Sequence, residues 1–199
     1  MMSYLRHDLT AQVLKHNLNN AGTECGLFVA DMEGISKATN TMLRRALECG
    51  YDGFVICGND ILEPDNWLQK RIDFINSNQN AGMVSIPVDH VRHNLSEETV
   101  IGNFMVSKEV VEKVGAMDEH YGIYGAVDLD YNERCKSAGF KNYYLPNMLA
   151  NHLHYHDGQE LYGIHKPTEV NKTWQHYVDK IGAKDYYIPI IEMKQMEGE

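Results

Sequence analysis

Apolar positions in the first half of the chain alternate between two rhythms. In DLTAQVLKHNLNNAG, Leu9, Val13, Leu14 and Leu18 recur on one helical face, and Gly22 stops the run. CGLFVAD is apolar without helical gaps, and reads as a buried strand ending in Asp31. SKATNTMLRRALECG returns to the helical rhythm, with Ser36 as candidate N-cap and Gly50 as stop. GFVIC is the next strand, PDNWLQKRIDFINSN a helix with Pro64 near its first turn, and AGMVSIPV a further strand. A short strand is also compatible with MSYL at the start.

Strand–helix alternation of this kind predicts an α/β fold with a largely parallel sheet covered by helices. Such sheets bind ligands outside the carboxyl ends of their strands, where Asp31 and Asp60 both fall. The second half changes character. DHVRHNLSEET is polar and loop-like, VIGNFMVS a strand, and KEVVEKVGAMD a helix stopped by Gly115. A Gly- and Tyr-rich loop, Tyr121 to Tyr124, precedes a helix that ends at Gly139, and KNYYLP is a strand. After NHLHYHDG a helix is expected from Glu169 to Ile181, then a frayed tail. We divide the chain into one domain over 1–165 and a helix with tail over 166–199, packed on that domain or extending from it.

Composition narrows the classes. A length of 199 residues suits one domain with a real core, and a formal charge of −10 argues against non-specific binding to nucleic acid or an anionic membrane surface, though not against a local basic groove. Cys25, Cys49, Cys57 and Cys135 show no CxxC spacing and read as reduced thiols. No apolar run is long enough to span a membrane, and the first residues turn charged at once, so a cytoplasmic protein is the expectation. A homo-oligomer is compatible with all of this.

Three groups of residues could carry chemistry. Asn59-Asp60 follows a buried strand, where a carboxylate is costly unless a cation or polar group meets it. Asp128 and Asp130 lie two apart at an expected helix start, where the helix dipole favours both. His152, His154 and His156 alternate, so on a strand they would share one face, and imidazole is the commonest metal ligand.

Four motifs, carried in order by three segments, resemble those of the family 2 inverting glycosyltransferases of the GT-A fold. GISKATNTMLRRA is similar to the family's G-x-x-x-A-x-N helix motif through Gly34, Ala38 and Asn40. YDGFVICGNDILEPDNWL places Asn59-Asp60 at the DXD-type acidic motif. IGNFMVSKEVVEKVGAMDEHYGIYGAVDLDYNERCKSAGF resembles the acceptor-side segment with its "vG.fDe" and "ED.D…R…aG" pieces. Val127 stands where the family has Glu, Asn59 replaces the first acid of the DXD motif, and the amino-terminal half is short.

The resemblance implies a Rossmann-like nucleotide-diphospho-sugar transferase with a mixed, mostly parallel sheet. It implies a UDP-sugar or related donor, a Mn²⁺ or Mg²⁺ cofactor and an acceptor hydroxyl of unknown identity. Asp60 and a late histidine, His152 or else His154, would hold the metal. Asp128 would be the general base, with Asp130 holding Asp128 or a sugar hydroxyl. Asp31, Gly34, Lys37, Asn40, Asn59 and Asp60 would line the donor site. Two alternatives remain: a non-catalytic nucleotide-sugar binding module, and a zinc metallohydrolase built on the histidine cluster with Asp60.

Overall fold

Strand periodicity sorts the core into two layers, one on each face of the sheet. The computed structural model describes residues 7–30, 34–89, 99–122, 125–153 and 166–181. β1 (Gly53–Ile56), β3 (Ala81–Ser85), β4 (Phe104–Ser107) and β5 (Lys141–Tyr144) form one sheet in the order β1-β4-β3-β5. β4 is antiparallel to both β1 and β3, and β3 is parallel to β5. Three strands therefore run one way and β4 is inserted reversed, which gives the expected mixed sheet. β2 (Ile61–Leu62) pairs antiparallel with β6 (Asn151–His152) in a small second sheet.

Phe54, Ile56, Met83, Phe104 and Val106 point to one layer; Val55, Val84 and Met105 point to the other. The first layer is closed by α2 (Ile35–Glu48), α4 (Lys108–Val114) and α5 (Val127–Ser137) through Leu43, Val110, Val111 and Tyr131. The second is closed by α3 (Trp67–Ser77) through Trp67 and Leu68. α1 (His7–Asn19) is tied to β2 by Asn17, whose amide donates to the Ile61 carbonyl at 3.0 Å and accepts from the Glu63 N–H at 2.9 Å. α6 (Lys166–Ile181) packs on α5 and on the 3₁₀ turn Glu119–Tyr121, and it starts three residues before the expected Glu169.

Several local expectations change. Cys25–Val29 joins no described strand; Leu27 and Val29 are 45% and 46% exposed. The segment is held instead by aromatic contact, with Phe28 edge-on to Tyr51 at 5.7 Å and Gly26 so close to the Tyr51 hydroxyl that a Cβ would lie 2.1 Å from it. Ser36 is not the cap of α2: Gly34 is, at φ 92°, and Ser36 lies buried in the first turn. Asn66, in the left-handed conformation at φ 58°, caps α3, leaving Pro64 outside the helix. The stops at Gly50, Gly115 and Gly139 stand, each with positive φ. MSYL and the tail lie outside the described residues, as do His154 and His156, so the shared face of the three histidines falls outside them too.

Candidate active site

Because β4 runs against its neighbours, its first residue pairs with the last of β1, Phe104 with Ile56, and Tyr144 of β5 pairs with Ser85. The carboxyl ends of β1, β3 and β5 and the loop entering β4 therefore open at one edge of the sheet. Asp60 and Gly102 emerge there, and Tyr144 reaches the same loop, its hydroxyl accepting from the Ile101 N–H at 3.0 Å.

What meets Asp60 is His152. Pairing of β2 with β6 sets Ile61 opposite His152, and the Leu153 N–H donates to the Asp60 carbonyl at 2.9 Å. His152 Nε2 then lies 2.9 Å from Asp60 Oδ2, with the two side chains 17% and 20% exposed. Gly58 is needed beside them, since a Cβ there would stand 2.9 Å from Asp60 Oδ1. Asp89 flanks the pair, Oδ1 accepting from the His152 N–H at 3.4 Å. A carboxylate and an imidazole in contact are two donors of the kind a divalent cation such as Mn²⁺ takes. Asn59 turns away and donates to Thr10 Oγ1 at 3.1 Å, so its amide ties the loop to α1.

Beneath this edge lies a fully buried ion pair, Arg71 to Glu63 at 2.9 Å, that Asn103 joins through a hydrogen bond to the same Glu63 oxygen. Glu63 follows β2 and Asn103 precedes β4, so the network links the Asp60 loop to the Gly102 loop. The sequence carries little signal for it, because an acid eight residues before a base across a helix start is common on surfaces.

Asp128 stands in the first turn of α5, half-buried, with Oδ2 accepting from the Gly102 N–H at 2.8 Å. Burial pushes its carboxyl from 3.8 up to about 6, against the lowering effect of the Gly102 hydrogen bond. A relay of buried amides fixes it: Asn142 Oδ1 accepts from the Met83 N–H at a β-bulge, Asn142 Nδ2 donates to Asn132 Oδ1, and Asn132 Nδ2 donates to the Asp128 carbonyl at 2.7 Å. Asn132 also accepts from the Val100 N–H, so the relay positions the loop leading to Gly102 as well.

Asp130 faces elsewhere. It is 4% exposed and pairs with Arg134 at 2.9 Å and with Lys180 of α6 at 2.8 Å, while Arg134 also donates to the Val114 and Ala116 carbonyls. Its contacts are those of a structural ion pair, and Asp128 is held by the Asn132 relay instead. Asn40 is likewise committed. Its amide donates to the Met117 carbonyl and Glu119 and accepts from the Met117 N–H, pinning α2 to the loop before the 3₁₀ turn. These contacts are a physical reason to move Asn40 and Asn59 from donor contact to loop support. Gly34 caps α2 and Lys37 is exposed on its first turn; Asp31 and His154 lie outside the described residues. Two groups escaped the sequence reading: Asp89, within a stretch dismissed as a polar loop, and Asp118, described below.

A cavity of about 450 Å³ lies among α1, α2, α3 and β1 and reaches Ile56 and Cys57 at the carboxyl end of β1. Its walls are largely apolar, with Leu14, Phe28, Leu43, Trp67 and Ile72 among them, and Asn17, Thr39 and Asp52 also line it.

Comparison with known proteins sets this geometry in context. No family model matches the chain. It is 28% identical over 161 residues to the dTDP-rhamnosyl transferase RfbF of Shigella flexneri, a stretch covering 68% of this chain and 54% of that protein, so the chain spans about half the length of the curated relative. Among solved structures it resembles the catalytic domain of Drosophila beta1,4-galactosyltransferase 7 in complex with xylobiose, at 15% identity and a TM-score of 0.67 over 95% of this chain and 80% of that one. It also resembles the mannosyltransferase PcManGT from Pyrobaculum calidifontis in complex with GDP-Man and Mn²⁺, at 16% identity and a TM-score of 0.69 over 94% and 64%. No helix among the described residues is long and apolar enough to cross a membrane. The mixed sheet, its reversed β4 and these likenesses give the chain the GT-A fold of glycosyltransferases.

Proposed function

We propose that the chain is the GT-A unit of a metal-dependent, inverting glycosyltransferase that moves a sugar from a nucleoside-diphosphate donor to an acceptor hydroxyl. The observation that carries this reading is the pairing of Asp60 with His152 at the edge where the half-buried Asp128 also stands. The rhamnosyl transferase relative and the two neighbours with sugar substrates support the transferase class over a metallohydrolase or an inert binding module. The relative's name and the resemblance in the sequence favour testing dTDP- and UDP-sugars first.

Asp60 and His152 would hold Mn²⁺ or Mg²⁺, with Asp89 beside them. When bound, the ion supplies positive charge against the diphosphate leaving group. Asp128 does the proton chemistry. With its carboxyl near 6, it is ionised at neutral pH and basic enough to take a proton from a hydroxyl whose oxygen is bonding to carbon. The acceptor O–H breaks to Asp128, the new C–O bond forms at the anomeric carbon, and the bond to the diphosphate breaks with its electron pair. One displacement inverts the anomeric configuration. The Gly102 N–H aims the carboxylate, and the Asn132–Asn142 relay holds the Asp128 backbone and the loop leading to Gly102. Asp130 stabilises the helix that carries it.

The test is incubation with dTDP-, UDP- and GDP-sugars, Mn²⁺ and a panel of sugar acceptors, with product anomers read by proton NMR. Metal-dependent transfer with inversion supports the reading. Transfer with retention would remove Asp128 as base. Absence of both transfer and donor hydrolysis across the panel, in protein that binds no nucleotide, would overturn the assignment.

A further inference from the structure

A second convergence of ligating side chains lies where α6 meets the loop before α5. Asp118, 1% exposed, ends the buried strap Ala116–Met117 and caps the 3₁₀ turn through its bond from the His120 N–H at 2.9 Å. His120 folds its ring back so that Nδ1 stands 2.9 Å from Asp118 Oδ1, and His176 of α6 brings Nε2 to 2.7 Å from Oδ2. The two rings lie 5.3 Å apart and tilted by 32°, with His176 edge-on to Tyr121. One ligand atom from each of the three side chains lies within 4.8 Å of the others.

We propose that Asp118, His120 and His176 form a metal site separate from Asp60 and His152, taking a borderline divalent ion such as Zn²⁺, Ni²⁺ or Co²⁺ and stapling α6 to the loop.

Charge and access fit that occupant. Lys180 holds Asp118 Oδ2 at 2.5 Å and Asp130 Oδ1 at 2.8 Å, and Arg134 holds the other Asp130 oxygen. Lys180 and Arg134 thus set two cations against the two carboxylates, and the imidazole is the commonest metal ligand among side chains. His120 approaches Asp118 at Oδ1, and His176 approaches it at Oδ2 beside Lys180. The side chain of His120 is 78% exposed, so a fourth position opens to water. Ligand atoms around a four-coordinate zinc at about 2.0–2.2 Å stand roughly 3.4 Å apart. The present contacts of His120 at 2.9 Å and His176 at 2.7 Å need to open by less than about 1 Å, a small adjustment of each ring. Two imidazoles and a single carboxylate oxygen select this class of ion over Mg²⁺ or Ca²⁺, which prefer all-oxygen sets.

The site also has a mechanical consequence. His120 and Asp118 belong to the loop that Asn40 pins to α2, and His176 belongs to α6. A bound ion would therefore join α2, the loop and the carboxyl-terminal helix around α5, on whose opposite side Asp128 stands. Metal binding and the Tm of the whole chain are coupled by that geometry.

Co²⁺ titration of the full chain carrying His152→Ala, followed by visible absorption and thermal unfolding, tests the proposal without reference to nucleotide or activity. Uptake of one Co²⁺ with the absorption of a four-coordinate ion and a rise in Tm is expected. Adding His120→Ala, which removes an exposed ring and leaves the core intact, should raise Kd by more than about tenfold, as should His176→Ala. No uptake would overturn the proposal and leave the cluster a hydrogen-bonded latch. Uptake unchanged in both histidine variants would overturn it equally, by locating the ion elsewhere.

Discussion

Replacing Asp128 by Asn separates what this residue does for chemistry from what it does to the fold. The carboxyl lies near 6 in the folded protein against 3.8 as reference because burial penalises its charge. A group whose folded pKa is raised favours folding fully below 3.8 and loses that contribution as pH rises through about 6. At pH 8 the ionised carboxylate therefore costs stability, by up to about 3 kcal/mol at 1.36 kcal/mol per pKa unit. Asn keeps the shape, carries no charge, and can still accept from the Gly102 N–H. The variant should be more stable than the parent at pH 8, by about 1–3 kcal/mol after screening at a half-buried site, and a protein of this length gains roughly 2–4 °C in Tm per kcal/mol. The gain should vanish near pH 4, where the parent's carboxyl is protonated too. Transfer should fall by about 10²- to 10⁴-fold, the usual loss on removing a general base, with donor affinity unchanged. Thermal unfolding of both proteins from pH 4 to 8, beside donor Kd and transfer rate, measures all of this. An Asn variant that turns over at the parent's rate, or whose stability relative to the parent does not grow with pH, would refute the reasoning.

The same carboxyl gives the parent a transfer rate that rises with pH through about 6 and then levels, so a flat profile between pH 5 and 8 would remove Asp128 as the base. Asp130→Asn leaves Arg134 and Lys180 short of a buried charge and should destabilise the chain in urea by about 3–5 kcal/mol while donor binding by the folded fraction persists. Glu63→Gln strands the fully buried Arg71 and should cost a similar ~3–5 kcal/mol; an unchanged urea midpoint would mean the pair is not formed in solution. Cys25 and Cys49 are exposed and should react promptly with a thiol reagent, whereas Cys57 and Cys135, buried and pushed up to about 12, should react only on unfolding.

Legibility of the fold in the sequence followed the physics of each signal. Continuous apolar runs found the sheet strands and period-3.6 patterns the helices because these are what burial requires of each, and glycines at positive φ marked helix ends because other residues are strained there. Cys25–Val29 misled, since an apolar run reports that a segment packs and not that its backbone finds a ladder; Phe28 packs on Tyr51 instead. The pairing of Asp60 with His152, 92 residues apart, is what the family resemblance implied with His154 as the other choice; residue pattern alone marked a strand-end acid and a histidine cluster without joining them. Asn40 and Asn59 read as ligand contacts from motif position, yet an amide also satisfies buried backbone, and only three-dimensional neighbours tell which use prevails. Asp118 with His120 and His176 could not be read at all, because its third member comes from a helix 58 residues away with no motif of its own.

The most direct test of the central claim is calorimetric titration of a nucleoside diphosphate, dTDP and UDP in turn, into the parent and into Asp60→Ala, each with and without Mn²⁺. If Asp60 and His152 hold the metal that bridges protein and diphosphate, the parent binds tightly only with Mn²⁺, a ligand at a hundred times its Kd adds about 2.7 kcal/mol of stability, and the variant loses the metal-dependent part while remaining folded. Equal binding by parent and variant, or affinity indifferent to Mn²⁺, would contradict the account.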